Sequence, residues 1–156
     1  MGIEIERKFL VHMSRWSPQD SGTKYMQGYL STDPDRTVRV RLAGAKAFLT
    51  IKGRSKGATR AEFEYEIPAA DAKQLLEELA LSPIIVKTRH LEKVGQHTWE
   101  IDVFERENTG LVMAEVELKK VDEVFELPSW AGKEVTNDHR YQNASLSAIP
   151  FSTWGE

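Results

Sequence analysis

The sequence predicts a mainly antiparallel β protein of the α+β class. Seven short segments alternate apolar and charged residues with a period of two, which is typical of strands that have one apolar face. Only one long segment, residues 69–81, has its leucines at helical spacing. The length of 156 residues suits one domain, which we expect to span residues 1–156.

The strands follow one another with short connections. An eighth segment, residues 25–31, reads as a strand with a less clear face. Glycine-containing stretches at 53–59 and 94–97 separate neighbouring strands as hairpin loops do. The seven alternating segments are residues 4–11, 37–42, 48–53, 60–67, 85–90, 99–104 and 112–118.

Helices are predicted at three places. Pro68 and Pro83 flank the segment 69–81, which is rich in good helix formers. A shorter helix is expected over residues 121–125. A C-terminal helix is expected to start near Asn137 or Asp138.

The charged residues occupy successive same-face positions, about 6.7 Å apart along each strand. Such a face could lie in open water, with helices covering the apolar face of an open sheet. Two features favour a sheet closed on itself with its charges inside. The charged face carries almost no Thr, Ser or Gln, and acids and bases segregate by strand: one strand carries two arginines, one a lysine and an arginine, and three carry a pair of acids. The set comprises Glu4, Glu6, Lys8, Arg39, Arg41, Lys52, Glu62, Glu64, Lys87, Arg89, Glu100, Asp102, Glu115 and Glu117.

A closed interior with these charges must contain water and a ligand. Burying an ion costs several kcal/mol, whereas a whole domain is stable by only about 5–15 kcal/mol. A basic wall suits an anion with several oxygens, since arginine binds phosphate with two hydrogen bonds. An acidic wall tolerates that anion only with a divalent cation between them, and Mg²⁺ or Mn²⁺ suits carboxylate and phosphate oxygens. The residues therefore indicate a polyphosphate bound with a metal ion.

The pattern Glu4-x-Glu6-x-Lys8 resembles the N-terminal signature of the CYTH superfamily, the triphosphate tunnel metalloenzymes. The later charged pairs agree in order, so the resemblance covers nearly the whole chain. It implies a closed eight-stranded β-barrel, or tunnel, with helices packed outside. The stretch VTNDHRYQN, residues 135–143, is similar to the family's C-terminal segment, a helix that plugs or lines one tunnel end. Its matching positions are Asp138, Arg140 and Tyr141.

The resemblance implies a metal-dependent triphosphatase. The small size favours the bacterial members that hydrolyse inorganic tripolyphosphate to pyrophosphate and phosphate. The alternatives are an adenylate cyclase of the class IV type, a thiamine triphosphatase, and a non-catalytic module that binds polyphosphate or a nucleotide.

The resemblance also implies roles for the charged residues. Lys87 is expected to activate the attacking water or to bind phosphate, and Glu62 and Glu64 to orient water, bind a second metal or balance the arginines. The expected triphosphate ligands are Lys8, Arg39, Arg41, Lys52 and Arg89. The expected ligands of Mg²⁺ or Mn²⁺ are Glu4, Glu6, Glu115, Glu117, Glu100 and Asp102.

The bulk composition narrows the partners and the compartment. A net charge of −3 and a pI near 5.9 argue against a nucleic-acid binder. Neither a membrane span nor a signal peptide is visible, and there are no cysteines. We therefore expect a cytoplasmic protein, and the resemblance implies that its partner is a small-molecule triphosphate. The oligomeric state stays open between a monomer and a homodimer.

Overall fold

The computed structural model describes residues 2–155, which form nine strands and two α-helices. Neither helix is long and apolar enough to cross a membrane. The helices are α1 (Ala69–Glu78) and α2 (Asn143–Ala148), with short 3-10 turns at Arg106–Asn108, His139–Tyr141 and Phe151–Thr153. The strands are β1 (Gly2–Val11), β2 (Thr23–Ser31), β3 (Thr37–Ala43), β4 (Lys46–Lys52), β5 (Thr59–Ile67), β6 (Ile85–Val94), β7 (His97–Phe104), β8 (Val112–Glu117) and β9 (Ala131–Glu134).

The sheet closes into a barrel through β1. The strand order is β5-β4-β3-β2-β6-β7-β8-β1, and β5 also pairs with β1, so the first eight strands form a ring. One edge of β1 pairs with β8, where Lys8 lies opposite Glu115. The other edge pairs first with β5, where Ile3 lies opposite Ala61, and then with β9. The predicted closed eight-stranded antiparallel barrel is confirmed.

All eight predicted strands are present, and the hairpin loops at 53–59 and 94–97 join β4 to β5 and β6 to β7. The ninth strand, β9, was not predicted from the sequence. It has only four residues, AGKE, and shows no alternation of apolar and charged side chains. Its place is set by β1, whose free edge it covers beyond the end of β5.

Helix α1 packs on the outside of the barrel over β3 and β4. Its buried Ala72 joins Val40 and Ala47 in one apolar cluster. The helix ends at Glu78, earlier than the predicted 81, although the Leu79 amide still donates to the Leu75 carbonyl. Where the chain returns from α1, Ala80 lies so close to β2 that only the absence of a side chain at Gly28 makes room for it.

A second apolar cluster covers the opposite outer face. Trp99 lies at its centre, with its ring centroid 5.5–5.8 Å from those of Phe9, Phe125 and Trp130. The predicted helix over 121–125 is wrong, because this segment is irregular. The Glu123 carboxylate accepts from the backbone of Lys119 and contacts the His97 ring, and this holds the loop so that Phe125 packs onto the barrel.

Arg7 is the one charged residue of β1 that points outward. Its Nε and Nη2 donate to the two carboxylate oxygens of Glu134 on β9, at 2.8 and 2.6 Å. Its guanidinium also lies 4.9 Å from the centroid of the Phe125 ring. Arg7 therefore joins β1, β9 and the loop that carries Phe125.

The C-terminal segment closes one end of the barrel. Leu146 of α2 is fully buried, among Ile85, Phe104 and Met113, whose side chains point into the barrel. The helix begins later than the predicted 137 or 138, because a 3-10 turn capped by the side chain of Asp138 comes first. Near that end, Gln142 donates to Ser55 in the β4–β5 loop at 3.0 Å.

The contact of Gly28 with the chain after α1 gives a testable prediction. A Cβ at position 28 would lie 2.8 Å from the Ala80 Cβ and 3.0 Å from the Leu76 Cδ2, which is too close. We expect Gly28→Ala to lower the free energy of unfolding by about 1–3 kcal/mol. The Tm measured by circular dichroism should fall by roughly 2–10 °C.

Gly53→Ala is the matched control for this substitution. Its Cβ would meet the Ala61 Cβ at 3.4 Å, an ordinary contact, and we expect little change in Tm. If Gly28→Ala and Gly53→Ala had the same Tm, the close packing at Gly28 would not contribute to stability.

Candidate active site

The charged faces of the strands point inward and surround a cavity of about 160 Å³. The prediction that the charges lie inside is therefore confirmed. Asp102 is the one residue of the predicted set that does not line this cavity, because it is buried behind Lys87 and Arg89. The other thirteen are Glu4, Glu6, Lys8, Arg39, Arg41, Lys52, Glu62, Glu64, Lys87, Arg89, Glu100, Glu115 and Glu117.

The strand order divides this cavity into an acidic half and a basic half. The strands with acidic pairs, β7, β8, β1 and β5, are consecutive around the ring. The strands with inward bases, β6, β3 and β4, are also consecutive except for β2 between β6 and β3. Lys8 on β1 and Arg60 on β5 are the exceptions, two bases that line the cavity from acidic strands. The separation of sign along the sequence is thus also a separation in space.

The basic half offers several cationic groups to the cavity. Arg39 Nη2 donates to Thr50 at 3.2 Å and lies 3.7 Å from Glu64. Its buried Nε has no hydrogen-bond partner among the described residues, 2–155. Lys52 contacts Glu4 at 2.9 Å and Glu62 at 3.6 Å. An arginine with a buried, unpaired N–H is suited to an anion that enters the cavity.

The acidic half contains carboxylates with too few cations around them. Burial, together with the carboxylates of Glu115 and Glu4, raises the pKa of Glu6 to about 8. Lys8 lies 3.8 Å from Glu6 and 3.5 Å from Glu115. Burial opposes ionisation of Glu4, but Lys52 lowers its pKa. Glu6 is therefore the carboxylate whose negative charge the protein itself neutralises least.

These carboxylates fit a hard divalent cation. Oxygen is the ligand that such ions prefer, and a second positive charge would relieve the repulsion around Glu6. Within residues 2–155, no three acidic or histidine side chains already form a closed metal cluster. A magnesium ion does not need one, since it is usually bound by one or two carboxylates together with substrate phosphates.

Lys87 is fully buried, and three charged neighbours surround it. Its Nζ donates to Asp102 at 2.7 Å and to Asn143 at 3.2 Å. Complete burial, reinforced by the guanidinium groups of Arg89 and Arg41, lowers the pKa of Lys87 to about 7, although Asp102 opposes the shift. The lysine can therefore lose its proton near neutral pH, which an ordinary lysine cannot do.

Arg89 and Asp102 form an ion pair with two hydrogen bonds. Nε and Nη2 of Arg89 donate to the two oxygens of Asp102 at 2.8 and 2.9 Å. Arg89 also reaches Glu100 at 3.3 Å and Glu115 at 3.5 Å. Both oxygens of Asp102 are thus already bonded, whereas among residues 2–155 no arginine or lysine lies within 3.5 Å of the Glu6 carboxylate.

Several residues of the site were missed by sequence reasoning. Gln27 and Tyr25 belong to β2, the strand whose charged face was unclear because neither side chain is charged. Gln27 accepts from Arg41 at 3.0 Å, and the Tyr25 ring lies 4.9 Å from the Arg41 guanidinium and 4.7 Å from that of Arg89. Asn143 reaches Lys87 from α2, and no periodicity could have identified it.

The C-terminal positions singled out by the resemblance lie elsewhere. Asp138 and Arg140 form an ion pair at 2.7 Å on the surface, and neither lines the cavity. The Tyr141 ring packs against Trp154. The residue of this segment that lines the cavity is its last one, Asn143.

Comparison with known proteins agrees with this geometry. The CYTH domain family matches residues 2–150. A protein of Acetivibrio thermocellus named inorganic triphosphatase is 45% identical over 156 residues, the whole of both chains. An inorganic triphosphatase of Nitrosomonas europaea is 36% identical over 153 residues, 94% of this chain and 99% of that one. A crystal structure of an inorganic triphosphatase is 33% identical and superposes with a TM-score of 0.65, covering 92% of this chain and 93% of that one.

The raised pKa of Glu6 predicts how stability depends on pH without metal. As the pH rises above about 4.5, Glu6 of the unfolded chain loses its proton, whereas the folded protein keeps it until about pH 8. The folded state therefore binds more protons at Glu6, and the contribution of Glu6 to the free energy of unfolding falls over this range. In EDTA, we expect Glu6→Gln to lose less Tm than the wild type between pH 5.5 and 8, by several degrees.

Glu77→Gln, which changes an exposed carboxylate of α1, is the control and should follow the wild type. Equal pH dependence of Glu6→Gln and wild type in calorimetric scans would show that Glu6 is not protonated in the folded metal-free protein.

Proposed function

This chain belongs to the CYTH family, and on that premise we propose that it is a metal-dependent triphosphatase that hydrolyses inorganic tripolyphosphate to pyrophosphate and phosphate. The observation that carries the proposal is the division of the barrel interior into a basic and an acidic half. A triphosphate with a bound cation is complementary to this arrangement, because its phosphate oxygens suit the basic half and its cation suits the acidic half. The relatives named inorganic triphosphatase support the same activity.

The basic half would hold the phosphate oxygens. Arg39 and Arg41 present guanidinium groups from neighbouring positions of β3, and Arg89 faces them from β6. Lys52 and Lys8 add ammonium groups nearer the carboxylates. We assign Glu62 and Glu64 to charge balance, since they contact Lys52 and Arg39 at 3.6 and 3.7 Å. They keep these bases oriented before an anion enters.

The acidic half would hold the divalent cation, for which we propose Mg²⁺ or Mn²⁺. We assign Glu6, Glu4 and Glu115 as its ligands, with Glu117 and Glu100 at the exposed part of the same wall. When bound, the ion supplies positive charge that stabilises the phosphate oxygens during transfer. We assign Asp102 the role of fixing Lys87 and Arg89, because its two oxygens are already occupied.

Lys87 would activate the water. A neutral Nζ can take one proton from a water molecule as its oxygen attacks the terminal phosphorus. The bond from that phosphorus to the bridging oxygen then breaks, and pyrophosphate leaves. Arg89 and Arg41, which lower the pKa of Lys87, are the same groups that would offset the charge on the phosphate.

Phosphate release tests the proposed activity. We expect the wild type to release phosphate from tripolyphosphate with Mg²⁺ or Mn²⁺ and not with EDTA. Glu6→Gln should lose about 100-fold or more in kcat/KM, because it removes a metal ligand from the acidic half. Colorimetric phosphate assays at saturating metal would measure both.

The control is again Glu77→Gln, which should retain wild-type activity. ATP and thiamine triphosphate are assayed beside tripolyphosphate. Pyrophosphate and cyclic AMP from ATP, with no phosphate from tripolyphosphate, would replace the proposal by a cyclase. Binding without turnover of any of the three substrates would replace it by a binding module.

The pH dependence of kcat/KM tests the role of Lys87. A general base must be neutral, and the neutral fraction grows as the pH rises through its pKa of about 7. We therefore expect kcat/KM for tripolyphosphate to rise through pH 7 in the wild type. Lys87→Met should lower it by about 10²–10⁴-fold and remove this rise.

Lys87→Met is expected to fold, because Arg89 still binds both oxygens of Asp102. If Lys87 instead served as a charged phosphate ligand, the wild-type rate would fall above pH 7. That result would assign water activation to another group.

A further inference from the structure

One neutral side chain enters the charged cavity from outside the barrel strands. Asn143, the first residue of α2, lines the cavity beside Lys87. Its Oδ1 accepts from the Lys87 ammonium at 3.2 Å and from Gln27 Nε2 at 2.8 Å. The amide is therefore part of the wall of the cavity, next to the group assigned to water activation.

The orientation of this amide is set by donor-only partners. Lysine and arginine side chains donate hydrogen bonds and do not accept them. Arg41 Nε donates to Gln27 at 3.0 Å, so the Gln27 atom it contacts must be the oxygen, and the other Gln27 atom must be the donor. Lys87 and Gln27 both donate to Asn143, so the Asn143 atom between them must be Oδ1.

The other end of the Asn143 amide is then Nδ2, which carries two N–H donors. In the part of the chain that the structure describes, Nδ2 donates to no protein group, although the other three amide positions of Gln27 and Asn143 are all bonded. A side chain in a closed polar network rarely leaves its donors unused without a ligand or water to accept them. These donors belong to a residue that faces the cavity.

We propose that Asn143 is a substrate-binding residue, whose Nδ2 donates a hydrogen bond to a phosphate oxygen of the triphosphate. The proposal rests on the proposed function, since it takes the triphosphate as the ligand of this cavity. A neutral amide adds a directed donor without adding charge next to Lys87. It also makes α2, which closes one end of the barrel, a part of the binding site.

Two substitutions at this position distinguish donation by Nδ2 to phosphate from the acceptance by Oδ1 that anchors Lys87. Asn143→Asp keeps an oxygen where Oδ1 accepts from Gln27 and Lys87, but it turns a carboxylate oxygen toward the phosphate in place of Nδ2. Asn143→Ala removes both arms. A carboxylate also repels an anion, so Asn143→Ala is measured in the Lys87→Met background as well, where no ammonium is left to anchor. If the residue only anchored Lys87, Asn143→Ala would not weaken binding further in that background. If it donates to phosphate, Asn143→Ala must weaken binding there too.

The experiment is isothermal titration calorimetry, with Mg²⁺ present, of the full-length chain with a tripolyphosphate analogue whose bridging oxygens are replaced by methylene groups, so that no turnover occurs. We expect the Kd to rise by about 10- to 100-fold in Asn143→Ala, as for the loss of a hydrogen bond to a charged group. The Kd should rise further in Asn143→Asp. Ser147→Ala, which removes the hydrogen bond from α2 to the Pro83 carbonyl at 3.2 Å, is the control and should bind as the wild type does.

The outcomes distinguish this inference from the proposed function. Wild-type chain that neither binds the analogue nor hydrolyses tripolyphosphate in Mg²⁺ would overturn both. Normal wild-type binding with unchanged Kd in the two Asn143 variants, or a Kd for Asp closer to wild type than that for Ala, would overturn the role of Asn143 alone. Circular dichroism of each variant ensures that the compared proteins are folded.

Discussion

The balance of the charges inside the barrel is the constraint on which the rest of the structure depends. A buried ion without a partner costs several kcal/mol, so the ring must place bases beside acids wherever water does not reach. It does so at its two boundaries between basic and acidic strands. At the β6–β7 boundary, Arg89 and Lys87 bond to Asp102. At the β4–β5 boundary, Lys52 faces Glu62.

Away from those boundaries, the same arrangement leaves charge that the protein does not neutralise. Glu6 lies in the middle of the acidic half, opposite Glu117 across the β1–β8 pair. Among the described residues its one ion-pair partner is Lys8, at 3.8 Å. On the other side, the Arg39 Nε is buried without a partner among the described residues. Charges are thus paired at the two boundaries and left partly unpaired at the centre of each half. A bound cation would neutralise the acidic centre, and a bound anion would neutralise the basic one.

The inward direction of the charges could be predicted from the sequence because the side-chain period of a strand is a local property. The separation of acids and bases between strands could be read in the same way. The neighbours of each strand could not, since the pairing of β5 with β1 joins residues about 60 positions apart. Nor could Gln27 and Asn143 be identified, because uncharged side chains on an unclear strand and in a late-starting helix gave no pattern. The helix predicted over residues 121–125 does not form, because the conformation of this segment is set by the packing of Phe125 on the barrel.

Arg7 lies between Glu6 and Lys8 in the chain, and its side chain points away from both. Adjacent residues of a strand share one rigid stretch of backbone, so the outside contact with Glu134 and Phe125 holds the same stretch that carries the two inner charges. The loop that carries Phe125 and strand β9 therefore fix this part of β1 from outside the barrel. Substitutions at these outer positions, which contact no ligand, would therefore displace the Glu6 carboxylate and the Lys8 ammonium inside the barrel.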